Sequence, residues 1–196
     1  SAALALAERA GISVFATGGI GGVHRGSELT GDISADLDAI ARRAVVTVSA
    51  GAKAFLDLAR TLEYLETAGA PVLGWQTDDF PAFYTRSSGL SVPHRVDSAE
   101  VVAAIYRNRT RNDQGLLLTV PIPESDALDV DHLDAVLTTA LDECEAQGVR
   151  GAAITPFVLG RIAEATDGDS LPANLALAEH NAEIAAQVAV AISQAS

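Results

Sequence analysis

Lys53 is the only lysine in the chain, against twelve arginines. A composition that writes nearly every basic residue as Arg would ordinarily have made this one Arg too. An amine can do what a guanidinium cannot: it can lose its proton and attack a carbonyl or an anomeric carbon. Lys53 therefore reads as a nucleophile, the alternative being a surface residue without a task. Upstream, Thr17-Gly18-Gly19-Ile20-Gly21-Gly22-Val23-His24-Arg25-Gly26 places five glycines in ten residues. Such a loop costs folding entropy and lets backbone N–H groups turn toward an anion. Thr17, His24 and Arg25 add a hydroxyl, a switchable cation and a permanent cation. The spacing fits neither the dinucleotide fingerprint nor the Walker pattern, and a purely structural glycine turn is the alternative. Next come Asp32 and Asp36, four apart, with Ser34 between them. Either two carboxylates and a hydroxyl face one pocket and hold a hard divalent cation with waters, or a helix starts here with Asp32 or Ser34 as its N-cap.

These residues need elements to hold them. Four nearly continuous apolar runs, Ile12–Ala16, Val45–Ser49, Pro71–Leu73 and Leu116–Val120, predict strands covered on both faces. Ala52–Ala68 carries Phe55, Leu58, Leu62 and Leu65 at helical spacing and ends before Gly69. Further helices are predicted over Asp97–Asn108, Ala127–Gln147 and Ser170–Ser193, with Ser1–Ala10 in helical phase as well. Strands alternating with helices predict an α/β fold, three-layer α/β/α, with a central mixed, largely parallel sheet. Ligands of such sheets bind beyond the carboxyl ends of the strands. The glycine loop and Lys53 both follow a predicted strand. Lys53 falls in the first turn of the predicted helix 52–68, where the helix dipole works against its charged form.

The 196 residues, 48% hydrophobic, read as one domain with a sizeable core. A net charge of −13 excludes a nucleic-acid partner. No apolar run reaches the about 18 residues of a spanning helix, and the N-terminus lacks a basic start and a cleavage site. With a single cysteine, Cys144, flanked by acidic residues, these features predict a cytoplasmic protein without a disulfide or a membrane contact. The chain begins at Ser1, already in an apparent helix, which reads as a native N-terminal part absent here or lying on another chain. His94 and Arg95 read as packing or intersubunit residues, and His132 and His180 as solvated or capping. The aromatic loop Thr77–Arg86 reads as a subunit interface.

Taken together, these segments resemble the pseudouridine-5'-phosphate glycosidase family, which includes indigoidine-cluster homologues. The matching stretches are FATGGIGGVHRG (15–26), DISADL (32–37), AGAK (50–53), RTLEYLE (60–66), TDDFPAFYTRSSG (77–89), VPHRVD (92–97), TPF (155–157) and the segment around Ser170 and Asn174. The resemblance implies an indigoidine synthase A-like α/β/α fold and a homotrimer that needs a divalent metal, commonly Mn²⁺. It implies reversible cleavage of the carbon–carbon glycosidic bond of pseudouridine 5'-phosphate to uracil and ribose 5-phosphate. Lys53 matches the family nucleophile, which attacks the anomeric carbon and forms a Schiff base with ring-opened ribose. Asp32 matches the metal ligand, and Ser34, Ala35 and Asp36 match a substrate-contacting triplet. Thr17 and His24 match positions near the phosphate, and Asn174 matches a base or sugar contact more loosely. The family has about a third more chain at its N-terminus, carrying a glutamate that donates a proton and another lysine; the 196 residues match its C-terminal two-thirds. Gly74-Trp75-Gln76 departs from the commoner Gly-Tyr-Gly, and Trp75 is expected to reshape the base pocket. Homologues in antibiotic pathways run the reaction as C-glycosynthases, joining ribose 5-phosphate to a different carbon nucleophile. A non-catalytic sugar-phosphate-binding subunit is the reading from outside enzymology.

Overall fold

A computed structural model describes residues 1–194 of the chain. Five strands form one sheet: β1 (Val14–Ala16), β2 (Val46–Ser49), β3 (Val72–Trp75), β4 (His94–Val96) and β5 (Leu116–Thr119). Their spatial order is β1-β2-β5-β3-β4, and all four ladders are parallel. The expected largely parallel sheet is thus found, with no antiparallel ladder among the described strands. Parallel strands need both faces covered, and the apolar runs of β2, β3 and β5 are buried throughout.

Side chains alternate between the two faces. Val46, Val48, Leu73, Trp75, Leu116 and Leu118 face a layer made of α5 (Ala99–Arg107) and the C-terminal half of α8 (Ser170–Gln194). Phe15, Val72 and Leu117 belong to the opposite core. That core takes in α1 (Ala2–Arg9), α3 (Ala35–Arg42), α4 (Leu58–Thr67), α6 (Val130–Ala146), α7 (Ile154–Ala165) and the first half of α8. This is the three-layer α/β/α architecture, with one short extra turn, α2 (Ser27–Thr30), after the glycine loop.

Three elements depart from expectation. Helix α4 starts at Leu58 rather than Ala52, with Asp57 as N-cap accepting from the Arg60 N–H (3.0 Å). The six preceding residues cannot join it because their backbone groups are engaged elsewhere: the Lys53 N–H donates to Ile20 O (3.3 Å) and the Asp57 N–H to Val23 O (2.9 Å). Strand β4 has no apolar run to betray it, since His94 and Arg95 are exposed on the sheet edge, a usual guard against edge pairing. Helix α7 carries Pro156 in its first turn, where the missing N–H costs nothing. Among the described residues no helix is long and apolar enough to cross a membrane.

Candidate active site

A parallel sheet places the carboxyl ends of its strands along one edge, and the loops after β1 and β2 leave that edge side by side. Their backbones stay zipped together. Ala50 N–H donates to Gly18 O (2.9 Å), Ile20 N–H to Gly51 O (3.1 Å), and Lys53 and Asp57 N–H continue along the glycine loop to Ile20 and Val23. On the loop's other side, His24 N–H donates to Asp32 O and Ser34 N–H to Gly22 O (both 3.0 Å). The glycine loop is therefore the middle of three adjacent segments, flanked by the Lys53 segment and the Asp32–Asp36 segment. Backbone hydrogen bonds bring together residues that the sequence separates by thirty.

Gly21 is where the three meet. Its N–H donates to Asp36 Oδ2 (3.0 Å). A Cβ at this position would lie 2.2 Å from Ser34 Oγ, so only glycine permits the approach. Ser34 is the N-cap of α3, its hydroxyl accepting from the Asp36 N–H (3.2 Å); Ala35 is the exposed first residue of that helix. Burial pushes the Asp36 carboxyl up. Hydrogen bonds from the Ser1 amino group and the Gly21 N–H, and the charges of Ser1 and Lys53, outweigh it and hold the carboxyl below its ordinary value. The Lys53 charge thus reaches Asp36. Lys53 itself lies in a loop, five residues before α4, so the expected first-turn placement and its dipole argument are both withdrawn; the dipole fades within a turn.

The start of the loop rests on α8. Asn174 Oδ1 lies 3.4 Å from where a Gly18 Cβ would be, which sets Asn174 against the glycine loop. One turn-pair further along, Asn181 is 1% exposed and donates both amide hydrogens of Nδ2, to Thr17 O (2.9 Å) and Gly18 O (3.2 Å). Sequence reasoning missed Asn181. Its signal was a polar residue on the apolar stripe that also holds Leu177 and Ile184. From the other side the Phe83 ring closes on Gly19, where an added Cβ would come within 2.5 Å of it. Phe83 has φ 64°, a left-handed backbone that bulky residues rarely take. Phe80, Phe83 and Tyr84 are all buried within the chain, and Phe83 makes an inner wall of the glycine loop. Burial also pushes the Tyr84 hydroxyl's pKa up, against a hydrogen bond with Ser170.

At the far end, His24 Nδ1 stands 3.9 Å from the Asp32 carboxylate, with the Phe55 ring 6.3 Å from the imidazole. Asp32 and Asp36 serve different partners, so the two carboxylates do not meet in the pocket that their spacing allowed. Among the described residues no three His, Cys, Asp or Glu side chains converge on a metal position. Arg25 turns aside to line a cavity of about 720 Å³ with Ala54, Asp57, Ser88 and Leu133. Trp75 packs into the α5 layer with Leu73 and Val96, so it does not shape the Lys53 side of the sheet. His94 and Arg95 form the edge strand, Arg95 pairing with Asp78 and Asp97 (both 3.0 Å). His132 Nε2 sits 3.3 Å from Ala165 O, and His180 faces Glu183 at 3.8 Å, both away from the site.

Comparison with known proteins agrees with this fold. The family described as "Indigoidine synthase A like protein" matches residues 1–191. A pseudouridine-5'-phosphate glycosidase of Methylobacterium nodulans is 53% identical over 194 residues, covering 98% of this chain and 58% of its own length. One from Chloroflexus aurantiacus is 51% identical over 199 residues, covering 99% and 65%. Among solved structures, the prealnumycin C-glycosynthase AlnA in complex with ribulose 5-phosphate superposes with TM-score 0.92 at 39% identity, covering 98% of this chain and 64% of that one. An indigoidine synthase A-like protein of Thermotoga maritima gives 0.87 at 38% identity, covering 97% and 63%. The chain spans about three-fifths of the length of the curated relatives it matches. With a family match over nearly all of its residues, the chain belongs to the indigoidine synthase A-like family.

Proposed function

We propose that the chain carries the sugar-phosphate half of a C-glycosidase site, acting on pseudouridine 5'-phosphate through Lys53. The observation that supports it is the junction at Gly21, where the only lysine lies one hydrogen-bonded segment away from Ser34 and Asp36 beside a glycine loop. A carbon–carbon glycoside has no leaving-group oxygen to protonate, so the paired carboxylates of ordinary glycosidases are of little use. The Lys53 amine instead forms a bond to C1', and the ring oxygen leaves that carbon as a hydroxyl once it takes a proton. The base carbon is then protonated as its bond to C1' breaks, and the nitrogen lone pair completes the imine. Water returns the amine and releases ribose 5-phosphate. Gripping the phosphate remotely orients C1' toward Lys53. Thr17, His24 and the loop N–H groups supply the grip, Ser34, Ala35 and Asp36 hold the sugar, and Asn174 reaches the sugar or base.

A divalent cation such as Mn²⁺ fits Asp32, a half-exposed carboxylate with room for waters, in the manner of a hard ion held by one carboxylate and its hydration shell. When bound it would neutralise charge on the substrate. The family's proton-donating glutamate, the homotrimer and a cytoplasmic location, where Cys144 stays a buried thiol with its pKa raised by burial, complete the proposal.

Borohydride reduction in the presence of ribose 5-phosphate should leave one adduct on Lys53, read by mass spectrometry. Lys53→Arg should keep the charge and give none. Binding without trapping would favour a sugar-phosphate-binding subunit instead. A second reading rests on the AlnA neighbour: synthesis of a C-glycoside from a different aglycone. Uracil release from pseudouridine 5'-phosphate, assayed with the family's remaining length supplied, separates the two; no release there removes the degradative reading.

A further inference from the structure

We infer that Asn181 is a positioning residue for phosphate recognition: it turns the Thr17–Gly19 backbone so that the Gly18 and Gly19 N–H groups face the ligand. This rests on the sugar-phosphate reading above. Asn181 is fully buried, yet its Oδ1 has no hydrogen-bond partner, while Nδ2 donates to two successive carbonyls, Thr17 O and Gly18 O. Burying an unpaired oxygen is unfavourable. A leucine would fill the same place on a stripe that already holds Leu177 and Ile184, so core packing does not explain the amide.

The carbonyls it holds explain it. No peptide bond in the described residues is cis, and across a planar trans peptide the C=O and the following N–H point in opposite directions. Thr17 O drawn toward α8 therefore sends the Gly18 N–H away from α8. Gly18 O drawn the same way, and also accepting from the Ala50 N–H (2.9 Å), does so for the Gly19 N–H. Among the described residues neither N–H has a protein acceptor, whereas the next donors along the loop, Ile20 and Gly21, are taken by Gly51 O and Asp36. Two successive unclaimed N–H groups with a common direction can donate together to one anion. The Phe83 ring and the Asn174–Leu177 face fill the space that a side chain at Gly18 or Gly19 would need. Only an amide supplies two hydrogens from one short side chain to adjacent carbonyls. The ligand is thus an anionic oxygen cluster, a phosphate monoester.

The test measures dissociation constants of inorganic phosphate and ribose 5-phosphate by calorimetry, and the backbone ¹⁵N–¹H shifts of Gly18 and Gly19 by NMR. In the wild-type chain both amides should move on adding inorganic phosphate. In Asn181→Leu both constants should rise at least tenfold, with the Lys53 adduct still formed at saturating ribose 5-phosphate. Asn181→Asp, which keeps the shape but sets an acceptor against two acceptors, should weaken binding at least as much. Phosphate binding that leaves Gly18 and Gly19 unmoved overturns the inference, and does so in the wild-type chain even where a variant fails to fold. Unchanged constants in a folded Asn181→Leu overturn it too, leaving the sugar-phosphate reading intact. A wild-type chain blind to ribose 5-phosphate overturns both.

Discussion

Residue by residue, the site is defined by which groups have been taken out of circulation. Of the loop's N–H groups, Ile20 and Gly21 are committed to the protein, and the Ser1 amino group and the Gly21 N–H, with the charges of Ser1 and Lys53, outweigh burial and hold the Asp36 carboxyl below its ordinary value. Because the folded value lies below the ordinary 3.8, the unfolded chain binds the proton more readily. Stability from this group is thus fully present above about pH 5, lost as pH falls through 3.8 and below. Asp36→Asn should therefore be less stable than the wild-type chain at pH 7, the gap closing at pH 3. Urea unfolding at the two values measures it, and a gap that stays constant or widens in acid would refute the assignment. Lys53 was legible as a composition oddity before any geometry. Asn181 was not, because its role depends on two carbonyls more than 160 residues away.

Elements were legible where they were apolar and local. The apolar runs of β1, which is half-buried, and of the fully buried β2, β3 and β5 stood out because strands covered on both faces have no polar phase. The start of α4 did not, and the reason is instructive: Phe55 sits at helical spacing from Leu58 and Leu62, yet it is buried beside His24 in a loop. Periodicity cannot see that the glycine loop has already claimed the Lys53 and Asp57 N–H groups. For α3 both readings of its start had merit, since Ser34 caps the helix and also stands against Gly21. A cap lost is worth about 1 kcal/mol whichever helix it serves. Ser98 caps α5 on the opposite side of the sheet, its hydroxyl accepting from the Val101 N–H (3.5 Å), which provides the control. Ser34→Ala and Ser98→Ala should each lower stability by about 1 kcal/mol, while only Ser34→Ala weakens ribose 5-phosphate binding. Equal binding in the two variants would reduce Ser34 to its capping role.

At the scale of the molecule, α8 is the one helix among the described residues that belongs to both cores. Ala173 and Leu177 lie in the core shared with α6 and α7, whereas Ile184, Ala185 and Val188 lie against α5 and the other face of the sheet. Asn181 falls between the two sets, where the helix passes the carboxyl end of β1. Position there depends on the half of α8 that touches the loop: Leu177 Cδ1 lies 3.3 Å from a Cβ built on Gly18, and Ile184 packs away from it. Truncating either residue opens a cavity in a buried site, at about 2–5 kcal/mol each. Energetically the two are alike, but their consequences should separate. Leu177→Ala relaxes α8 beside Thr17 and Gly18, so phosphate affinity should fall severalfold along with stability. Ile184→Ala should lose comparable stability and bind phosphate as the wild-type chain does under folding conditions. Denaturant midpoints and phosphate titrations on the same samples decide it. If affinity tracked stability equally in both, α8 would hold the loop only through global folding, and its local grip on the glycine turn would have to be abandoned.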